Sequence, residues 1–301
     1  MTLRKTLVLL AATLLGAAVL SAGPSPRVVI ESPPELADVS RRIQAEIESG
    51  DFGIVLSLTG QVGFLHPIRV VVVPESAPLA RSTPSWISGF ARGERGLIVL
   101  FPERVPSYPD RNLTALLIHE VAHVMVARAA RGNPVPRWFN EGVATVAARE
   151  WGLEDRARYA LAVVGRGASS VAELDEGFRV GGKSASRSYA LSAALVRWMR
   201  GRHGEDVTAR ILGRIGSGEP FDSAILHATG TPLRRIEHLF FEREAFWTTW
   251  VPFLTSSVAL WMAITALAIV AGVRRRRRRT ELMERWEREE EAASRPVETI
   301  H

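Results

Sequence analysis

The stretch Leu113 to Ala130 reads LTALLIHEVAHVMVARAA, and its reading decides the fold. It is apolar on nearly every face, the pattern of a helix buried on all sides. Its middle nevertheless carries His119, Glu120 and His123. Residues four apart stand one turn above each other on a helix, so the two imidazoles share a face. Glu120 lies about 100° round from His119, beside the pair. Polar groups buried without partners cost several kcal/mol each. A bound cation would supply the partner. Either histidine taken singly also fits a satisfied core position, so the rest of the chain has to decide.

The chain has 301 residues, enough for one large domain or two small ones with ample core. Its formal charge of +6 is matched in size by the six arginines Arg274 to Arg279. Between Pro24 and Trp250 there are 27 Lys plus Arg against 25 Asp plus Glu, so the region expected to fold carries no basic stripe. A nucleic-acid partner is therefore not expected. Cysteine is absent, which excludes thiolate metal sites and a cysteine nucleophile. Any metal must be held by His, Asp or Glu.

Both ends carry membrane signals. Residues 1–23 have the form of a secretory signal: Arg4 and Lys5, an apolar run from Leu7 to Leu20, then Ser21, Ala22 and Gly23. The segment serves either as a cleaved signal or as an anchor. Val251 to Val273 has no charged residue across 23 positions, enough to span a bilayer core, and Arg274 to Arg279 follow at once. Trp247 and Trp250 precede it, where an interfacial belt would lie. The expected topology is single-pass in the cytoplasmic membrane. The bulk of the chain lies outside the cytoplasm, and residues 274–301 form a charged cytoplasmic tail.

Between these ends, Leu36, Val39, Ile43 and Ile47 recur at helical spacing. Ile54–Leu58 and Ile68–Val73 read as strands, the first weakly. Trp86–Ala91 and Leu97–Phe101 read as a hairpin around Arg92 to Gly96. Asp110 is a candidate N-cap for the His-bearing helix. Pro134 and Pro136 break the chain before Trp138. Helices are expected at Glu154–Val164, Ser188–Arg202, Asp206–Ile215, Asp222–Ala228 and from Thr231-Pro232 onward. The fold class is α+β: a small N-terminal β-rich part (24–105), a mostly helical part (106–250), and one C-terminal transmembrane helix (251–273).

Eighteen residues after His123 stands Glu141, within Trp138-Phe139-Asn140-Glu141-Gly142-Val143-Ala144. Alone it reads as a helix-start carboxylate. After a short turn from the histidine helix it reads as a third ligand. His-Glu-x-x-His followed by W-x-N-E-G-x-A resembles the gluzincin zinc peptidases, above all the bacterial peptidase MA-like domains and, more distantly, the aminopeptidase N family. The resemblance covers roughly Ile68 to Trp247 and is strongest from Leu113 to Ala148. It implies one zinc ion per chain on His119, His123 and Glu141, with Glu120 as general base. It also implies an oxyanion-stabilising tyrosine on a later helix, which here is Tyr189. Two departures stand out. The G-x-M-x-N segment with which aminopeptidases capture a free amine is absent from Ala91 to Gly96. The Asp that orients a ligand histidine four residues after the ligand Glu is here Thr145, so orientation falls to Thr145, Asn140 or main-chain carbonyls.

The expectation is a membrane-anchored extracytoplasmic zinc endopeptidase acting on peptides or proteins. An extended substrate would add to strand Leu97–Phe101. His203, His227 and His238 are read as structural. Two other readings share the motif: an intramembrane zinc protease, and a catalytically degenerate domain serving as an envelope scaffold.

Overall fold

The first described element is one that the sequence pattern does not announce. β1 (Val28–Glu31) is a four-residue strand with alternating burial, lying at the edge of a sheet. The computed structural model describes residues 25–105, 112–148, 170–242 and 257–293. Residues 1–23, Asp110, the expected helix Glu154–Val164 and residues 251–256 of the charge-free run lie outside that set.

Helix α1 (Ala37–Ser49) follows as the spacing predicts, burying Ile43 and Ile47. The next element corrects the sequence reading. Ile54–Leu58 is not a strand but part of helix α2 (Gly53–Thr59), with Val55, Leu56, Leu58 and Thr59 buried. Local capping overrides the β-branched composition there. The Asp51 carboxylate accepts the Gly53 N–H at 2.8 Å. At the far end, Gly60 adopts a left-handed φ of 68°, which an L-residue resists.

β2 (Ile68–Val72) is the buried centre of the first half. After the short helix α3 (Pro78–Ser82) come β3 (Gly89–Arg92) and β4 (Leu97–Leu100). These two form the expected hairpin, with Gly96 at φ 58° in its turn. Among the described residues the strands make one mixed sheet of order β1-β2-β4-β3, parallel except for the β3–β4 pair. β3 is thus a free edge and β4 an interior strand. The loop before β3 is knitted by Arg104, whose guanidinium donates to the Ala80 carbonyl at 2.8 Å and the Ile87 carbonyl at 3.0 Å.

Helix α4 (Leu113–Ala129) is the histidine helix, buried along most of its length. Its N-cap is Asn112, whose Oδ1 accepts the Ala115 N–H at 2.8 Å. The cap is thus two residues later than Asp110, in the position where a side-chain oxygen reaches the third helical N–H. Arg131 (φ 51°) and Gly132 (φ 78°) then reverse the chain, and Pro134 and Pro136 deliver it into α5 (Arg137–Ala148). Trp138 and Phe139 anchor α5. Both are buried and stack edge-on with Phe221 at centroid distances of 5.8 and 5.3 Å.

The remaining helices of this unit are α6 (Val171–Val180), α7 (Gly182–His203), α8 (Val207–Gly216), α9 (Phe221–Thr229) and α10, which runs over 233–242. α6 is not among the helices expected from periodicity. Its local signal is Ser170, an N-cap that accepts the Glu173 N–H. α5 and α7 approach closely because Gly142 has no side chain. A Cβ there would fall 2.7 Å from the Ser192 carbonyl oxygen and 2.7 Å from a Val196 methyl. Gly142→Ala is expected to cost about 1–3 kcal/mol through overpacking. The urea midpoint reads this directly, and an unchanged midpoint would contradict the close approach.

The chain divides into two units, at 244/245. In the second, α11 (Ser257–Ala293) is one continuous helix of 37 residues. Residues 257–273, where the sequence predicts a transmembrane helix, form its first part and run without a break into the arginines. Among the described residues no helix is long and apolar enough to cross a membrane. The first unit is α+β, mostly helical with a small sheet.

Candidate metal centre

α4 and α5 each bring part of the site. The imidazoles of His119 and His123 lie one turn apart, with ring centroids 4.7 Å from each other. From α5, Glu141 Oε2 lies 3.4 Å from His119 Nε2 and 3.4 Å from His123 Nε2. The candidate ligand atoms of the three residues all fall within 4.8 Å of one another. Tetrahedral zinc with nitrogen and oxygen ligands at about 2.0–2.2 Å holds neighbouring ligand atoms about 3.3 Å apart, so the spacing fits. Glu141 Oε2 is buried with no hydrogen-bond partner of normal geometry, and it faces both imidazoles. An oxygen so placed calls for positive charge, from a metal ion or, without one, from a protonated imidazole. A cation satisfies it.

Around this group, each supporting contact has a local cause. Asn140 precedes Glu141 on α5, and its Oδ1 lies 2.9 Å from His123 Nδ1. Accepting from Nδ1–H leaves the Nε2 lone pair turned toward the centre. Asn140 thus supplies the orienting contact for one histidine. Thr145 is buried, and among the described residues its Oγ1 has no hydrogen-bond partner. On the other side of Glu141, Oε1 lies 3.6 Å from Arg137 Nε, and that guanidinium sits 5.0 Å over the Phe178 ring. The Phe178 ring in turn packs edge-on against Tyr189 at 4.9 Å, and Tyr189 against His119 at 6.2 Å. α5 itself is pinned at its start by Asp175 of α6, which accepts the Trp138 N–H at 2.7 Å. Burial pushes the Asp175 carboxyl up. Arg137, Asp175 and Phe178 are not among the residues that the sequence singles out. Arg137 alone carries a local signal, at i−4 from Glu141 on one helix face.

His119, Glu120, His123, Glu141 and Tyr189, named from sequence, all line one cleft of ≈580 Å³. The same cleft is lined by β3, from Gly89 to Arg92, and by the turn Gly93 to Arg95, which pack beside α4. The strand-addition expectation therefore moves from Leu97–Phe101 to β3, because β4 is paired on both sides. His227 and His238 lie elsewhere, beside Glu219 at 2.9 Å and Glu242 at 3.0 Å. His203 packs near Trp198.

With this geometry in place, comparison with family models gives a match to the Peptidase MA superfamily over residues 63–250. The chain belongs to the Peptidase MA superfamily. A comparison with curated proteins finds no significant match. The superfamily match takes in β2 through α10 and so contains the whole cleft. For a Peptidase MA member, a His-His-Glu group able to hold a metal ion inside that cleft is consistent with a peptidase-like domain.

The electrostatics give a pH prediction. Burial alone would lower the His123 pKa. The Glu141 carboxylate beside it outweighs burial and lifts it to about 9, with smaller help from Glu120 and Asn140. Glu141, though burial opposes its ionisation, is held well below the usual carboxylate range by the two imidazoles. Without metal, His123 is therefore protonated and paired at pH 7. Its pair stabilises the metal-free protein fully between about pH 4.5 and 6.5. The contribution fades below that range as Glu141 takes up a proton, and is lost above it as pH rises through about 9. A metal must displace this proton. Loading at pH 7 is expected to release about one proton per ion, with affinity rising about tenfold per pH unit until it levels near His123's pKa. Calorimetry in buffers of differing ionisation enthalpy measures the release, and zero protons would contradict the pairing.

Proposed function

We propose that the chain is a membrane-anchored, extracytoplasmic zinc endopeptidase. The observation that carries this reading is the convergence of His119, His123 and Glu141 with Glu120 and Tyr189 in one cleft. Zinc held by His119, His123 and Glu141 would lower the pKa of a coordinated water toward about 7 and polarise the scissile carbonyl.

The chain's own residues supply the rest. The Glu120 carboxylate is buried yet lines the cleft, placed to take a proton from water and return it to the leaving amine. Asn140 fixes the His123 ring, and Arg137 holds the outer oxygen of Glu141 so that the inner one faces the histidines. The Tyr189 hydroxyl donates to the developing oxyanion, its ring steadied by Phe178. An extended peptide pairs with the free edge of β3. The cleft lacks the amine-capturing segment of aminopeptidases, which favours cleavage within a chain. α4 packs against β3, α2 and α5, an arrangement that favours a water-facing cleft over an intramembrane site.

The anchor rests on the charge-free run Val251–Val273 followed by Arg274–Arg279. α11 carries exposed Trp261, Ile264, Leu267 and Ile269, a set suited to lipid contact. The full chain, purified in detergent and loaded with zinc, is expected to cleave an unstructured protein such as casein. A chelator should stop cleavage, and added zinc should restore it. Zinc bound at one ion per chain without cleavage of casein or of a peptide library would favour the scaffold reading.

A further inference from the structure

The cleft is chemically asymmetric, and the asymmetry points to its substrate. At one end, the Trp86 indole lies against Gly181, where a Cβ would stand 3.3 Å from the ring, at the junction of α6 and α7. At the other, the turn Gly93–Arg95 rests on the α4 backbone. A Cβ on Gly93 would meet the Ala127 methyl at 2.4 Å and the His123 carbonyl oxygen at 2.9 Å. Only glycine lets this turn sit so close. The contact fixes Arg92 and Arg95, on either side of it, at the His123–Ala127 end of the cleft.

The arginines of the cleft differ in their commitments. Arg137 is engaged by Glu141 and Phe178. Arg92 and Arg95 are exposed, and among the described residues neither makes an ion pair. Glu94 is the one acidic side chain of this wall. Glu120 and Glu141 carry two negative charges that a divalent metal would balance, which leaves the turn with a net positive charge. Guanidinium groups recognise carboxylates through paired, charge-assisted hydrogen bonds.

We infer that Arg92 and Arg95 form a subsite for a carboxylate on the peptide substrate, beside the His123 end of the cleft. This deepens the peptidase reading and rests on it for the peptide nature of the ligand. The carboxylate is either an Asp or Glu side chain or the free C-terminus of the peptide.

The test separates binding from cleavage. The full-length Glu120→Gln chain, loaded with zinc, is titrated with labelled peptides of neutral sequence and capped ends. A single Glu or Gln is scanned along them, and a further set has a free C-terminal carboxylate. One Glu position, or the free terminus, is expected to tighten binding about tenfold over its neutral match. Added salt should weaken the gain. Arg92→Gln with Arg95→Gln is expected to erase it while zinc stoichiometry stays at one, which shows the fold intact. A gain at a Glu position identifies a side-chain carboxylate, and a gain only with the free terminus identifies a terminal one. Equal binding of acidic and neutral peptides, or a gain that survives the double substitution, overturns the subsite. Hydrolysis of the same peptides by the unsubstituted chain is measured in parallel. Acid-selective binding without cleavage keeps the subsite and overturns the peptidase reading, whereas cleavage without acid selectivity does the reverse.

Discussion

Glu120→Gln is expected to reduce kcat/KM for any cleaved peptide by at least about 10³-fold while leaving zinc bound at one ion per chain. The substitution keeps the shape of a side chain that is only 3% exposed, so the wall of the cleft is preserved. It removes a carboxylate that stands next to His119 in sequence and is not itself a candidate ligand, since the metal-holding set is His119, His123 and Glu141. Steady-state kinetics and metal analysis on the same preparation give both numbers. Activity within tenfold of the parent would refute the general-base role. Loss of zinc would show instead that Glu120 helps hold the ion.

The second large effect is expected at a ligand. His119→Ala removes an imidazole that is also nearly buried and lies 3.4 Å from Glu141 Oε2. Two ligands remain, and zinc affinity is expected to fall by several orders of magnitude, since structural and catalytic zinc sites require at least three protein ligands. Thermal unfolding provides a readout that does not depend on activity. A ligand that binds only the folded state stabilises it by about 4 kcal/mol at a thousandfold excess over its dissociation constant. The parent should therefore show a saturable rise in Tm with zinc, and His119→Ala should show none. An equal zinc-dependent shift in both chains would remove His119 from the site.

These residues are legible in the sequence because their signal is local. HEVAH violates the apolar pattern of its own helix, and NEG sits where a short Pro-rich turn must return the chain. Asn140 is within reach for the same reason, being adjacent to Glu141. What the sequence hides depends on distant partners. β1 has four residues and is a strand because β2 lies parallel beside it. Ile54–Leu58 has strand-like composition, but Asp51 and Gly60 at its ends make it helical. Asp175 caps α5 from 37 residues away, and no spacing rule connects it to Trp138. The free edge at the cleft is β3 and not β4, which only the order of the sheet reveals. Thr145 is a departure the sequence exposes and the fold leaves standing. Its hydroxyl is buried, while the histidine orientation visible in the structure comes from Asn140.

The central claim is that His119, His123 and Glu141 hold a single metal ion. Zinc K-edge X-ray absorption on the full chain, reconstituted with one equivalent of zinc, tests it most directly. The expected spectrum shows two imidazoles and carboxylate or water oxygen at about 2.0–2.2 Å, in four- or five-fold coordination. In Glu141→Ala, one oxygen contribution should disappear. A spectrum with oxygen neighbours alone and no imidazole scattering would contradict the claim.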